Sequence, residues 1–435
     1  MTRSRLEYGA PVFNSARKSR LQIIDRVYNE GLRLITGAYR TSPLHSLYVE
    51  SSMPPPKLRR EQLTLSYAAR IWGKPRHPLF KTLFENINHN DFSQQRTRTR
   101  PLRIRVKELL DGESTQFGPV EENSMTSPPW QITPANICMK LAAYRKEETS
   151  PIIYRQELLD ILHRKEEYRP IFTDGSKTES GVGSAIFTYG ITETWTLPRY
   201  SSVYTAELYA IVQALQRSLD NGYNKVMILS DSLSALSALS DVFSLDPFIR
   251  KIYNLLVQLK SHGQRVMFTW VPGHIGIAGN EKVDQAAKSA ASNQIRSDIP
   301  VRPTDLKAQI REIIIRKWQH QWDCVNEKLK DIESRVQRSA AENLPRRESV
   351  IITRLRIGHT RVTHGHLLTG ARRPRCSWCN ERLTVAHVLE ECQTLRQQRA
   401  QAGLPDDLRA VLEIGSSHKK RLFAFLKKIQ FYDKI

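Results

Sequence analysis

Apolar residues in the middle of the chain alternate between short strand-like runs and helical stripes. Three runs separated by glycines, at 171–174, 182–190 and 192–198, predict an antiparallel meander of strands. A helix at 203–222 and a buried strand at 225–232 are expected after them. Two helices at 232–241 and 247–263, a strand at 265–274 and a helix at 279–292 complete the pattern. This order predicts an α/β domain over residues 169–292, with a mixed five-stranded sheet and helices on both faces.

The segments on either side of this domain follow mainly helical patterns. Residues 1–110 carry helical stripes, are interrupted by the prolines of 51–56, and end in a basic run at 96–105 that is typical of a solvated loop. Residues 111–168 are predicted to be a polar linker with a short helix. Residues 300–345 are predicted to form a helical connector, and residues 346–435 a small basic C-terminal region.

The net charge of +22 is concentrated in the two flanks. Residues 1–110 hold 21 Lys or Arg against 8 Asp or Glu, and residues 293–435 hold 28 against 16. The central residues 169–292 are nearly neutral, with 11 against 10. Basic segments attract polyanions by neutralising phosphates and releasing counterions. The pattern favours nucleic acid as the partner over a solvated surface with no particular ligand.

Several other classes of protein fit the sequence poorly. No apolar run approaches the roughly 18 residues that a membrane span needs, and the N-terminal residues lack the apolar core of a secretory signal. Five cysteines, an odd number, do not suggest a disulfide framework. We therefore expect an intracellular protein, in the nucleus or the cytoplasm, with reduced thiols and no membrane partner.

Four acidic residues occupy positions that the predicted layout can bring together. Asp174 ends the first strand and Asp231 the fourth, whereas Glu207 lies near the start of the first helix and Asp284 in the last one. Crowded carboxylates repel one another, and divalent cations remove this conflict because hard oxygen ligands suit magnesium. Each acid alone is more simply a surface charge or a helix cap, but together they predict a metal site.

These acids lie in four motifs, FTDGSK, YTAELYAI, ILSDSLSAL and WVPGHIGIAGNEKVD, which resemble those of the ribonuclease H family in order and spacing. The resemblance covers residues 170–292. It implies a ribonuclease H-like fold, with Asp174, Glu207, Asp231 and Asp284 as ligands of two Mg²⁺ or Mn²⁺ ions. It also implies an endonuclease that cleaves the RNA strand of RNA–DNA hybrids. His274, on a glycine-flanked loop, would then aid proton transfer or product release.

Selectivity for RNA is expected from contacts to the 2′-hydroxyl beside the scissile phosphate, with Ser176 and Ser232 as candidates. Val203 and Tyr204 depart from the polar residues that many cellular members use against the hybrid. A basic insertion that some members use to hold the substrate is also absent from the sequence after helix 247–263. The basic flanks are expected to supply the missing affinity, including affinity for single-stranded nucleic acid.

The N-terminal flank resembles the region behind the reverse transcriptase of insect-type non-LTR retrotransposons. The residues that carry this resemblance are 37–43, 47–50 and 54–60. The sequence given contains no YxDD polymerase motif, so DNA synthesis is not expected. The resemblance implies the C-terminal part of such a polyprotein, with a reverse transcriptase module as a partner in cis or in trans.

A cysteine cluster near the C-terminus has the spacing of a zinc site. Cys376, Cys379, His387 and Cys392 follow the pattern C-x2-C-x7-H-x4-C, with His387 and Cys392 expected on one helix. Three thiolates and an imidazole satisfy one tetrahedral Zn²⁺, whereas the alternative is a set of reduced structural thiols. The pattern is similar to the C-terminal cluster of the same retrotransposon proteins. It predicts a small zinc-binding module, with nearby arginines and Trp378 as a nucleic-acid contact.

Two further interpretations compete with the enzyme. In one, the chain is a non-catalytic remnant that only binds nucleic acid. In the other, it is an assembly factor of a retrotransposon particle, an interpretation that rests on the cysteine cluster and the basic ends. The presence of all four acids favours catalysis over both.

Overall fold

A computed structural model describes residues 2–85, 100–113, 116–122, 124, 128–145, 148–293, 298–336 and 343–435. These residues form two compact units. We call the first the helical unit, within Met1–Thr64, Gln95–Leu102 and Arg311–Ile435, and the second the sheet unit, within Leu65–Gln94 and Arg103–Ile310. Residues 96–99 of the basic run, and parts of the linker at 114–115, 123 and 125–127, lie outside the described residues.

The sheet unit contains a six-stranded mixed sheet, with strand order β1-β6-β5-β2-β3-β4. The strands are β1 Ile137–Cys138, β2 Arg169–Lys177, β3 Val182–Thr188, β4 Ile191–Leu197, β5 Lys225–Ser230 and β6 Arg265–Trp270. The pairs β2–β3 and β3–β4 are antiparallel, whereas β5 pairs in parallel with both β2 and β6. The antiparallel strands β2 to β4 and the parallel strands β2, β5 and β6 therefore have β2 in common.

The prediction of five strands was wrong by one short strand. Strand β1 has two residues and pairs in parallel with β6 through Ile137 and Phe268. It lies in the segment between the linker and the short helix, where two residues cannot produce a detectable alternation of apolar and polar positions. The amide of Phe268, which donates to the carbonyl of Asn136, fixes this edge of the sheet.

Helices cover both faces of the sheet. They are α1 Pro151–Arg164, α2 Val203–Asp220, α3 Leu233–Ala238, α4 Pro247–Ser261 and α5 Ala278–Ala290. Successive residues of a strand point to opposite faces. Accordingly, Ile171 and Ile228 pack with residues of α2 and α4 in one core. Phe172 and Leu229 pack with residues of α1 and α5 in the other.

The remaining α-helices are mostly short. Their bounds are Thr2–Glu7, Ala10–Phe13, Lys18–Thr36, Leu44–Glu50, Pro56–Trp72, Phe80–Phe84, Leu102–Asp111, Leu306–Asp323, Leu329–Ile332, Arg346–Ile357, Arg361–His364, His366–Thr369, Gln393–Gln401, Leu408–Leu412 and Lys419–Lys428. The helix at Leu102–Asp111 occupies the end of the basic run that was expected to be a loop. Among the described residues, no helix combines the length and the apolarity that crossing a membrane would require.

In the helical unit, a buried ion pair joins two helices. Arg356 donates to Glu50 at 2.9 Å, and both side chains are 1% exposed. Arg356 also donates to the carbonyl of Leu412, so the guanidinium is satisfied on two sides. A buried charge of this kind is tolerated because its partner and its hydrogen bonds are in place.

Candidate active site and candidate zinc site

The four predicted acids belong to four neighbouring elements of the sheet unit. Asp174 lies within β2, and Asp231 follows directly after β5, the parallel neighbour of β2. Because Thr173 of β2 is in register with Ser230 of β5, Asp174 and Asp231 occupy equivalent positions on adjacent strands. Glu207 and Asp284 come from α2 and α5, on opposite faces of the sheet.

Helix α2 reaches the sheet so closely because β2 carries a glycine at the contact point. A Cβ atom at Gly175 would overlap the backbone nitrogen of Glu207 and atoms of Ala206. The helix begins at this place because Ser202 Oγ accepts a hydrogen bond from the amide of Thr205 as an N-cap. The close approach at Gly175 and the N-cap at Ser202 together place Glu207 next to Gly175, the residue that follows Asp174.

Asp174 is only 7% exposed and senses the other three carboxylates. Its pKa is raised from 3.8 to about 7, first by burial and then by the negative charges of Asp231 and Asp284. The negative charge of Glu207 also raises the pKa of Asp174, by a smaller amount, whereas a hydrogen bond from the backbone amide of Gly175 lowers it. The four acids therefore act on one another electrostatically, and this location favours either protons or cations.

Asp231 and Glu207 are each held by a neutral hydrogen-bond donor. Burial raises the pKa of Asp231, and the side-chain amide of Asn280 opposes this by hydrogen bonding to the carboxylate. Burial likewise raises the pKa of Glu207, against a hydrogen bond that Ser232 Oγ donates to it. At Gly273 a Cβ would come within 2.6 Å of Asp231 Oδ2, so the loop backbone closes over this carboxylate.

Asp284 faces two basic side chains. Lys288, one turn later on α5, donates to Asp284 Oδ2 at 2.7 Å, and this ion pair raises the pKa of Lys288. His274 Nδ1 lies 3.9 Å from the same oxygen. The His274 side chain is 68% exposed, and its backbone has a φ of +59°, in the left-handed region that few non-glycine residues adopt.

Asn280 and Lys288 were not predicted as site residues. The side-chain amide of Asn280 contacts Asp231, and its Oδ1 is buried without a hydrogen-bond partner in the described structure. The spacing of four between Asp284 and Lys288 is the signal in the sequence that indicates an ion pair along a helix. A Cβ atom at Gly279 would overlap the ring of Phe172, so this glycine lets α5 pack closely against β2.

The two serines predicted to contact substrate lie in different surroundings. Ser176 is half-buried on β2, in register with Gly183. Ser232 is buried and already engaged, because it bonds to Glu207 and caps α3 by accepting from the amide of Ala235. Of the two residues that depart from the family, Val203 is exposed, whereas the ring of Tyr204 lies under Arg302 at 4.7 Å.

The four carboxylates form a donor set that suits Mg²⁺ or Mn²⁺. All their ligand atoms are hard oxygens, Asp174 is buried, and the negative charges of Asp231 and Asp284 beside it would stabilise a positive charge at this place. The orphaned Oδ1 of Asn280 adds an oxygen without a partner next to Asp231. The residues therefore fit divalent metal.

The predicted zinc ligands come together in the helical unit. The ligand atoms of Cys376, Cys379, His387 and Cys392 all lie within 4.8 Å of one another, closely enough to hold an ion. Cys392 Sγ lies 4.0 Å from Cys376 Sγ and 3.8 Å from Cys379 Sγ, and Cys379 Sγ lies 3.2 Å from His387 Nε2. A tetrahedron with Zn–S bonds of about 2.3 Å has edges of about 3.8 Å, so the cluster fits zinc.

The local backbone of this cluster differs from the prediction at one ligand. His387 opens a π-helical turn, His387–Glu391, but Cys392 follows that turn in an extended conformation instead of sharing a helix with His387. Burial raises the pKa of Cys376, but hydrogen bonds from the backbone amides of Trp378 and Cys379 and from the thiols of Cys379 and Cys392 together leave it lowered. Amides that point at a sulfur favour its thiolate form, which is the form that binds zinc.

Comparison with known families adds one finding. The family model for RNase H matches residues 166–292, the part of the chain that contains β2 to β6 and all four acids. Members of this family in general use divalent metals, bind nucleic acids and act as hydrolases on RNA–DNA hybrids. Residues 166–292 are therefore identified as a ribonuclease H family domain.

Proposed function

We propose that the chain is an endoribonuclease that cleaves the RNA strand of RNA–DNA hybrids by two-metal-ion hydrolysis. The observation that carries this proposal is the electrostatic convergence of four acids on Asp174, whose pKa is about 7. A structural role does not explain why four like charges are gathered at one place, because their mutual repulsion is unfavourable unless cations bind there.

Asp174, Glu207, Asp231 and Asp284 would hold the two Mg²⁺ ions. Divalent ions held there would supply Lewis-acid activation of the attacking water and of the leaving 3′ oxygen. The protein's part is orientation: Ser232 fixes Glu207, Asn280 fixes Asp231, and Lys288 holds Asp284 by an ion pair. No protein nucleophile is required.

His274 is suited to moving a proton at the edge of the site. Its ring is exposed to solvent, and its Nδ1 lies 3.9 Å from Asp284 Oδ2, so it can exchange protons with both water and the leaving group. Neighbouring Gly276 also has a positive φ of +77°, so the loop contains two residues in a backbone conformation that most side chains avoid.

The test is incubation of the purified full chain with a labelled RNA–DNA hybrid and Mg²⁺. We expect RNA fragments with 5′-phosphate and 3′-hydroxyl ends, and no cleavage by Asp174→Asn. Asp220→Asn, a change of the same chemistry at an exposed helix end, is the matched control and should cleave normally.

Wild-type protein that binds the hybrid but leaves it intact would contradict the proposal. That result would favour a non-catalytic nucleic-acid-binding remnant or an assembly factor. Cleavage that survives in Asp174→Asn would show that the four acids are not the site.

We further propose that the chain derives from a non-LTR retrotransposon and works with a reverse transcriptase module, in cis or in trans, inside the cell. The support is the resemblance of residues 37–43, 47–50 and 54–60 described above. Sequencing of the transcript and its genomic locus tests the origin, and a locus without any polymerase-like sequence, intact or decayed, in a genome without related elements would contradict it. Immunofluorescence tests whether the protein is nuclear or cytoplasmic.

A further inference from the structure

The helical unit contains a small cavity that is lined by basic side chains and lies beside the segment of the zinc ligands. Its lining includes Thr363, His364, His366, Arg373, Arg382 and Thr384. We call it the arginine cavity. It lies between the short helices Arg361–His364 and His366–Thr369 and the segment that surrounds the first two cysteines. None of the residues that line it in the described structure is acidic.

Two guanidinium groups supply its positive charge. Arg373 and Arg382 are both exposed, and among the described residues no ion pair joins either of them to a carboxylate. The backbone of Arg382 is fixed by a bridge to Arg375, which closes the turn around Cys376 and Cys379. Unpaired arginines on a fixed backbone are suited to an anion with a planar or tetrahedral arrangement of oxygens.

A third basic residue lacks a hydrogen-bond partner within the cavity wall. His366 Nδ1 is buried, and no described atom accepts from it or donates to it. Buried polar atoms are nearly always paired, so an unpaired one calls for a group from outside the chain. His366 thus adds an independent indication that something polar belongs in the arginine cavity.

The surroundings favour an anion over a cation as that group. His364 stacks on His359, with ring centroids 3.7 Å apart, and its Nδ1 lies 2.8 Å from the hydroxyl oxygen of Thr363. Burial, and after it the charges of neighbouring basic residues, among them Lys328 and Arg382, together lower the pKa of His364 to about 3. The imidazole ring of His364 is therefore neutral, and the electrostatic potential around it is positive.

We propose that the arginine cavity binds a backbone phosphate of a single-stranded nucleic acid. Arg373 and Arg382 would hold the phosphate oxygens, and His366 would complete the contact. A polynucleotide is favoured over free phosphate because exposed Arg372 and Arg375 extend the positive surface along the same segment. The proposal does not depend on hybrid cleavage, since it concerns residues of the other unit.

The experiment uses the full chain in the Asp174→Asn background, so that the probe is not cut. Fluorescence anisotropy with a labelled 20-nucleotide single-stranded RNA gives the Kd as a function of salt. We expect Arg373→Gln with Arg382→Gln to raise the Kd about tenfold and to reduce the slope of log K against log salt by about 1, as for the loss of one or two phosphate contacts. The double change Arg396→Gln with Lys420→Gln removes the same charge from exposed positions outside the cavity, and should change the Kd by about twofold or less.

Equal weakening by the two double variants would overturn the proposal, because it would show only an effect of net charge. Calorimetry with inorganic phosphate and with AMP separates the two sources of a phosphate group. If these small anions bind and lose binding in the Arg373 and Arg382 variant, while RNA affinity is unchanged, the cavity is a site for a free phosphate and the polynucleotide proposal fails.

A second measurement needs no substitution in the arginine cavity and so does not depend on how the arginine variants fold. Phenylglyoxal modifies accessible arginines, and mass spectrometry reads the extent at each position. Bound single-stranded RNA is expected to reduce modification of Arg373 and Arg382 by several-fold in the Asp174→Asn chain, and to leave Arg396 unchanged. Modification of Arg373 and Arg382 at the same rate with and without RNA would contradict the proposal.

Discussion

At the scale of single residues, Asp174 is where burial and charge oppose ionisation most strongly. Its pKa of about 7 in the folded chain lies far above the ordinary value of 3.8. The folded state therefore holds this proton more tightly than the unfolded chain does. The stabilisation is complete below about pH 4, and it is lost progressively as the pH rises to about 7, through the folded pKa.

We predict that Asp174→Asn stabilises the sheet unit in magnesium-free buffer at pH 8. A shift of about three pKa units corresponds to at most about 4 kcal/mol, because each unit represents about 1.4 kcal/mol. Urea unfolding at pH 4.5 and pH 8 measures this effect, and the difference between variant and wild type should shrink at the lower pH. Mg²⁺ at pH 8 should raise the stability of wild type only. A variant that is less stable than wild type at pH 8 would contradict the electrostatic account of the site.

The positions of the four acids could be predicted from the sequence because each stands beside an apolar run whose period fixes its element. The residues that hold them could not all be found in this way. Asn280 contacts Asp231 only because α5 and the end of β5 meet in three dimensions. Ser232, predicted to touch substrate, instead bonds to Glu207, a contact between residues 25 positions apart.

At the scale of elements, the separation between α2 and β2 decides whether Glu207 reaches Asp174. Gly175 is the residue that sets this separation, since a Cβ there would overlap backbone atoms of α2. Backbone atoms cannot rotate away as the end of a flexible side chain can. The helix would have to shift, and Glu207 would shift with it.

We predict that Gly175→Ala destabilises the sheet unit by about 1–3 kcal/mol, as overpacking at a rigid contact does. Hybrid cleavage should fall more steeply than stability, because the displacement acts on a metal ligand. Gly31→Ala is the matched control: Gly31 lies within the helix Lys18–Thr36 with open space at its Cβ, so alanine should be neutral or stabilising. Thermal unfolding and the hybrid assay test both variants, and normal cleavage by Gly175→Ala would refute the proposed role of the glycine.

The order of β2 to β6 and the five helices of the sheet unit could be predicted from periodicity, since each element is long enough to show its repeat. Strand β1 could not, because its two residues are held by pairing with β6 and by nothing in their own sequence. The helix Leu102–Asp111 was also missed. The five arginines of the run 96–105 suggested solvation, yet Ile104 and Val106 are buried.

At the scale of the whole molecule, the acidic site and the cysteine cluster belong to different compact units. This division suggests that cleavage and retention of single strands can be separated by mutation. The arginine cavity could not be predicted from the sequence. His366 and Arg382 come together only when the segment that contains the four ligand residues folds.

We predict that Cys376→Ser with Cys379→Ser removes zinc and weakens single-strand binding while sparing hybrid cleavage. Loss of two of four ligands should reduce the zinc content from about one ion per chain to none, because structural zinc requires a full tetrahedral set. Cys324→Ser, at an exposed cysteine outside the cluster, is the control. Atomic absorption, anisotropy and the hybrid assay give the three readouts. Loss of cleavage in the double variant would argue against separable units.

The left-handed backbone of His274 determines how its chemistry can be isolated. A residue with a φ of +59° is under a conformational penalty of about 1 kcal/mol that glycine and asparagine largely escape. Replacement by alanine would therefore change the imidazole and the loop's preferred torsion at once, and a slower enzyme would not tell which mattered. Asparagine keeps the torsion accessible and removes only the titrating ring, so the histidine-to-asparagine exchange is the cleaner probe of proton transfer.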